Sequence, residues 1–443
     1  MQVQEVQRSK WVSMGIYVLI DAVQIVFVSL LYLDPTNPFV VGFDLSSTDL
    51  IASANLLLFI SLAQLSMIYG FAISMRNRKD MIRLYPPSEK SASCACKYGA
   101  EEIVKWTREV AKISHQDVTR VYLMSSPLPN AFTFALPGLG STVVLQSNLL
   151  DLLRPEEIKT IVAHELAHIR NRDSIISILV RMPQLFVQVV YIYIYVMLLF
   201  FALEAVLEQL DFSLALVRLG VLFGFLLLSR VVMELATVFI QKASRQAELL
   251  ADYEAAKALG SEATMNALIV LGQRVEAMTA LMQEVQWLDA LNPRRPGAVS
   301  DYHMGKIIQS YPLDGIDEDN AKLMAPRLYL ADKLQTLREV YGVQLSDADI
   351  ERAVTPAADK LVETRRKEAE KTKPPQSLTL DWREADRNKD GRLSPAELKD
   401  LVRMLRESPR KLMFDNEVGM NILTLDHPDF RRRILFLADA FGL

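Results

Sequence analysis

Four apolar runs, each long enough to cross a bilayer, constrain this chain more than any other feature of it. They are Trp11–Leu33, Leu50–Ser74, Leu185–Leu203 and roughly Leu214–Ile240. Backbone in lipid must satisfy its hydrogen bonds within its own segment, so each run is expected as a helix. No small-residue cleavage site follows the first run, which is therefore expected as a retained span. Composition agrees, since 51% of the 443 residues are hydrophobic, a high share for a soluble protein.

The charges around the runs set their orientation. Arg8 and Lys10 precede the first run, and Arg76, Arg78, Lys79 and Arg83 follow the second; Asp34–Asp49 between them holds acids and prolines but no Lys or Arg. The second pair repeats this pattern. Its connector carries Glu204, Glu208 and Asp211, and its outer flanks carry Arg170, Arg172, Lys242 and Arg245. Two helical hairpins are expected, with basic flanks and both termini in the cytoplasm. Three charges, Arg218, Arg230 and Glu234, fall inside the fourth run. Arg230 and Glu234 are one turn apart and can pair, which lowers the cost of charge in a membrane helix. A net charge of −4 offers no basic surface for nucleic acid. Cys94 and Cys96, one residue apart, are expected as ordinary thiols, because that spacing strains a disulfide.

Between the hairpins the chain reads as globular. Ala100–Ile113 repeats apolar residues at helical spacing, Val118–Met124 and Ser141–Gln146 have strand character, and Pro137-Gly138-Leu139-Gly140 signals a turn. Pro155-Glu156-Glu157 opens a further helix, with proline tolerated in the first turn and acids favoured near the positive helix end. After Asp252 the chain reads as mostly helical to about Glu370. The charged stretch Arg365–Lys373 and Pro374-Pro375 mark a linker.

The helix opened by Pro155 carries His164-Glu165-Leu166-Ala167-His168. Four-residue spacing puts both imidazoles on one helix face, where they can hold a single zinc ion. Glu165 lies beside that face, placed to take a proton from a water activated there. The plain alternative is a chance pattern on an amphipathic helix. The clean helix start and the apolar face of Ile161, Val162 and Leu166 weigh against it. A catalytic zinc needs a third protein ligand and one open position. The other histidines, His115, His303 and His427, have no partner spacing, so a carboxylate is expected. Glu248 and Asp252, one turn apart after the fourth run, suit a ligand and a group orienting an imidazole. Taken alone, such a pair more often marks a solvated helix face.

These pieces resemble the HtpX-type membrane metallopeptidases, relatives of the CAAX prenyl proteases and, more distantly, of other gluzincins. The likeness is carried by Asn130-Ala131-Phe132, by His164–His168 with Asn171 and Asp173, and by Ser244-Arg245 with Glu248 and Asp252. His427-Pro428 with Arg433-Ile434 adds to it, as does the placement of two spans before the first motif and two between the motifs. It covers about 1–258 and 415–443. The resemblance implies Glu248 as third zinc ligand and Asp252 as the group steadying a histidine. It implies a strand beginning at Asn130 that pairs with substrate backbone, and His427 and Arg433 near the oxyanion. It also implies membrane or membrane-proximal proteins as substrates, cleaved in quality control at a bacterial inner membrane.

One segment departs from the family. Residues 386–397 fit a twelve-residue EF-hand calcium loop: Asp386, Asn388, Asp390, Ser394 and Glu397 offer side-chain oxygens, Arg392 its carbonyl, and Gly391 the sharp turn. No second loop is convincing, since Asp314–Asn320 lacks the glycine and terminal glutamate in register. An unpaired hand leaves three readings open: a sensor, a magnesium-occupied brace, or a vestige.

The expected fold is mainly α, four transmembrane helices with a cytoplasmic gluzincin-like α+β metallopeptidase domain. The expected divisions are two spans (1–75), the first catalytic part (76–173), two spans (174–241), the third-ligand helix and helical region (242–375), the EF-hand-like insert (376–408) and a closing peptidase segment (409–443). The expected function is a zinc endopeptidase acting on protein or peptide substrates at the lipid bilayer, with Zn2+ as cofactor and Ca2+ as a candidate modulator. Two rivals are a dedicated processing peptidase of the prenyl-protease kind and a calcium-responsive membrane scaffold with a structural zinc site.

Overall fold

The computed structural model describes residues 2–33, 41–43, 47–78, 80–87, 96–126, 129–207, 210–291, 301–311, 318–371, 379–414 and 428–443. Helix α1 (Val3–Leu30) leads through the short antiparallel pair β1 (Leu31–Leu33) and β2 (Val41–Phe43) into α2 (Ser47–Arg76). Strand β3 (Met81–Tyr85), α3 (Ala100–Ile113), β4 (Arg120–Met124), β5 (Ala131–Leu136) and β6 (Gly140–Gln146) follow. Next come α4 (Ser147–Leu152), α5 (Pro155–Arg170), α6 (Asp173–Leu207) and α7 (Phe212–Leu259). The remainder is helical: α8 (Ser261–Ala290), α9 (Asp301–Ser310), α10 (Glu318–Tyr341), α11 (Asp347–Lys371), α12 (Pro395–Glu407) and α13 (Phe430–Phe441).

Among the described residues four helices are long and apolar enough to cross a membrane, over Val3–Phe27, Ala54–Arg76, Asp173–Leu207 and Phe212–Leu259. Phe59, Phe71, Phe200, Leu216 and Phe223 on them are exposed, the distribution a lipid environment accepts and water penalises. The charges of the fourth run are paired: Arg230 meets Glu234 one turn away, and the buried Arg218 reaches Glu204 at 3.5 Å. Glu208, in the connector, lies outside the described residues.

The boundary expected between 241 and 242 is not a break. Helix α7 runs for 48 residues from the outer end of the fourth span through Glu248 and Asp252. The change of composition near Gln241 marks a change of surroundings. It leaves backbone hydrogen bonding intact, because no proline interrupts the helix. Asp211 starts it by accepting from the backbone of Ser213 and Leu214, and Gly260, at φ +104°, ends it.

A four-stranded sheet of order β3-β4-β6-β5 backs the helices. Strands β4 and β6 run parallel; β3 and β5 are antiparallel to their neighbours. The β5–β6 turn is at Pro137–Gly140, where Gly138 and Gly140 adopt positive φ. Among the described residues strand β5 is an outer strand, paired with β6 alone. Leu145 of β6 packs with Ile158, Val162 and Leu166 of α5 in one buried cluster, which fixes how α5 lies on the sheet. Pro155 stands in the first turn of α5, and Glu157 accepts from the Arg154 N–H at 2.9 Å, closing the helix start.

The insert is not a separate body. Leu380 donates to the Leu412 carbonyl at 2.8 Å, bringing its ends together. Leu393, Leu398 and Leu401 share one apolar cluster with Ala256 of α7, Met265 and Leu268 of α8, and Ile434 and Leu437 of α13. Phe414 enters this cluster against Gly272 of α8, where an added Cβ would stand 2.1 Å from its ring. Gly272→Ala is therefore expected to destabilise the protein by about 1–3 kcal/mol, because the buried ring has nowhere to move. A lowered thermal midpoint in detergent is the check, and an unchanged one would refute the close approach.

Candidate metal centre

Helices α5 and α7 supply the centre. The imidazole Nε2 atoms of His164 and His168 stand 3.2 Å apart. Glu248, from α7, brings Oε2 to 3.5 Å from His164 Nε2 and Oε1 to 3.6 Å from His168 Nε2. Among the described residues these three form the one group of His, Cys, Asp and Glu donors gathered closely enough to hold a metal ion, with one atom from each within 4.8 Å of the others.

The backs of both rings are held by carboxylates. His164 Nδ1 lies 2.9 Å from Asp252 Oδ1, and His168 Nδ1 lies 2.9 Å from Asp173 Oδ2. Such contacts put a proton on Nδ1 and turn the Nε2 lone pairs toward a shared point. Asp252 is in turn held by Arg433 of α13, whose Nε and Nη2 donate at 2.7 and 2.6 Å. Lys10 of α1 donates to Asp173, so the first span also reaches the site. Burial alone would lower the His164 pKa. The hydrogen bonds and charges of Asp252 and Glu248 outweigh it and lift the ring to about 10. A metal ion must displace that proton. Burial works to lower the Arg433 pKa, but the charge and hydrogen bonds of Asp252, with the charges of Glu248 and Glu165, together outweigh it, so its guanidinium stays charged.

Glu165 points along the same face. The Thr133 hydroxyl, from the outer strand β5, donates to its Oε2 at 3.1 Å. Burial raises the Glu165 carboxyl above its ordinary value, and the two histidines pull it partly back. A carboxylate made more basic in this way suits proton transfer near neutral pH. The centre opens into a cavity of about 700 Å3, lined by Asn130, Phe132 and Thr133 on one side and by Leu268, Val275 and Phe430 on the other.

The structure thus gathers His164, Glu165, His168, Glu248 and Asp252, with Asn130 and Arg433 on the cavity wall. Arg433, expected near an oxyanion, lines the cavity and donates from Nε and Nη2 to Asp252, the partner of His164. His427 lies outside the described residues, as does Cys94. Asp386, Asn388, Asp390, Arg392, Ser394 and Glu397 lie apart from the centre, against the N-terminal end of α5. Sequence reasoning assigned no role to Asp173, Lys10 or Thr133. Asp173, five residues past His168 and beyond the end of α5, stood in the sequence only as part of the family likeness. Nothing local marks the other two.

Residues 99–315 of the chain match Peptidase family M48. The match runs past 258, where the resemblance was expected to pause, because α8 packs on α5 and α7 in the same core. More particularly, the chain is similar to the HtpX proteases. A protease HtpX homologue of Persephonella marina is 39% identical over 69 residues, 16% of this chain and 24% of the relative. HtpX homologue 2 of Sulfurisphaera tokodaii is 37% identical over 67 residues, 15% of this chain and 21% of the relative. A homologue of Pelotomaculum thermopropionicum is 34% identical over 110 residues, 25% of this chain and 36% of the relative. The chain therefore spans between about a fifth and about a third of the length of the curated relatives it matches.

With zinc as the probe ion, Asp252→Asn is expected to weaken metal binding about 10–100-fold, read by competition with a chromogenic chelator. Uptake by the wild type at pH 7 should release about one proton per ion, measured calorimetrically in buffers of different ionisation enthalpy. No proton release would contradict a ring held protonated.

Proposed function

We propose that this protein is a membrane-embedded zinc endopeptidase that cleaves membrane or membrane-proximal proteins from the cytoplasmic side. The observation that carries the reading is the convergence of His164, His168 and Glu248 with Glu165 in a cavity flanked by the outer strand β5. The donor set fits zinc, with two imidazoles and one carboxylate leaving one position of a tetrahedron open. A zinc ion held there would supply Lewis-acid polarisation of a peptide carbonyl and activation of a water molecule.

The chain's own groups would do the rest. Glu165 accepts the proton of the attacking water and returns it to the leaving amine. Thr133, hydrogen-bonded to Glu165, ties that base to β5. Strand β5 offers its free edge to substrate backbone, with Asn130 at its start, a recognition mode that reads few side chains. Asp252 and Asp173 keep both histidines aimed. Breadth of substrate is what quality control needs. The basic flanks of the spans support a cytoplasmic placement of the centre; a bacterial inner membrane is what the HtpX resemblance implies. A structural zinc site would be closed by a fourth protein ligand; among the described residues the group has three.

Glu165→Gln is expected to lower cleavage of a model membrane substrate, or of the protein itself, about 10²–10⁴-fold. Zinc content should stay at about one ion per chain in both forms. Cleavage at the wild-type rate by the variant would sink the mechanism.

A further inference from the structure

We propose that residues 386–397 hold one calcium ion, and that the occupied loop braces the N-terminal end of the metal helix α5. The bracing rests on the zinc-peptidase reading; calcium binding does not.

Asp386 is 7% exposed. Its Oδ2 accepts the Gly391 N–H at 2.9 Å, so the carboxylate faces the inside of the loop. Its Oδ1 is buried with no hydrogen-bond partner. A buried carboxylate oxygen without a donor is costly, and a cation is the group that would satisfy it. Lys389 and Gly391 are left-handed, at φ +57° and +73°, which turns the chain around that point. Asn388 and Asp390 add side-chain oxygens, Arg392 a carbonyl and Ser394 a hydroxyl. Glu397, also buried, accepts from Arg387 N at one end of the loop and from Ser394 N near the other. Binding would exchange these capping bonds for bonds to the ion. So many oxygens, with one carboxylate able to bind through both of its own, suit calcium over the smaller, octahedral magnesium ion.

The loop is joined to the metal helix by its own ligand residue. The Arg392 guanidinium pairs with Glu157, Nη2 to Oε2 at 3.1 Å and Nε to Oε1, and both side chains are largely buried. Glu157 also closes the first turn of α5, seven residues before His164. The next residue, Leu393, exchanges two hydrogen bonds with the Asn266 amide of α8, at 2.7 and 2.8 Å. An ion that fixes the Arg392 carbonyl therefore fixes backbone whose neighbours hold α5 and α8. Helix α12, which leaves the loop, shares its apolar cluster with α13, the helix of Arg433.

The test uses the full chain purified in detergent. Calorimetric titration with calcium chloride should give one ion per chain, with affinity reduced about tenfold or more in Glu397→Gln. Asp390→Asn, at an exposed loop position, serves if that variant does not fold. Zinc release to a zinc-selective chelator should slow severalfold when calcium is present. Arg392→Gln, which keeps the carbonyl, should still bind calcium and lose that protection. No calcium binding by the wild type, or equal binding by the loop variants, overturns the site. Magnesium binding as tight as calcium overturns the choice of ion. Calcium binding with unchanged zinc release overturns the brace. A chain that binds calcium but takes up no zinc overturns the peptidase reading and the brace together, and leaves the calcium site standing.

Discussion

The Asp252 carboxylate accepts from His164 on one side and from Arg433 on the other, and that contact pins α5, α7 and α13 to a single point. At 1% exposure it is a charge removed from water, tolerable only because a guanidinium and an imidazole surround it. Losing the guanidinium would leave that charge uncompensated, a cost of about 3–5 kcal/mol. Replacing the whole set with apolar side chains of equal volume could be neutral for stability. What such a replacement could not do is hold one imidazole tautomer with its Nε2 toward a metal. The arrangement therefore serves aim more than stability, and the fold around it keeps three helix ends in register.

The second histidine follows the same design with a different source of support. Asp173 stands where α6 begins, and Lys10 of α1 neutralises it. Each imidazole thus has its own carboxylate, and each carboxylate its own cation. One cation comes from the start of the chain and the other from its last helix. The centre draws on elements from nearly the full length of the sequence, and the spans α1, α6 and α7 are parts of the site as well as anchors.

Much of this was legible in the residues. The spans, the start of α5, the α3 helix and the β5–β6 turn follow from rules that act within a few residues: apolar length, proline at a first turn, glycine at positive φ. The pairing of His164 with His168 is equally local, because four residues make one turn. Contacts between distant residues carry no period. Lys10 read only as a topology signal, and Thr133 as one residue of a strand. Arg433 was expected near the site, but nothing local in the sequence pairs it with Asp252, 181 residues away. The division expected at 241 falls within the continuous helix α7. Composition reports what surrounds a helix, while its continuity depends on backbone hydrogen bonds, which lipid and protein both permit.

The continuity of α7 has a consequence for how the protein comes to exist. As the chain is synthesised, His164 and His168 emerge ahead of α6, while Glu248 and Asp252 follow only after α6 and the outer part of α7. A hairpin that has not yet turned back leaves two histidines without their carboxylates. The donor set closes only when α6 and α7 lie side by side and the C-terminal part of α7 reaches α5. Packing of the α6–α7 hairpin is thus the assembly step of the centre.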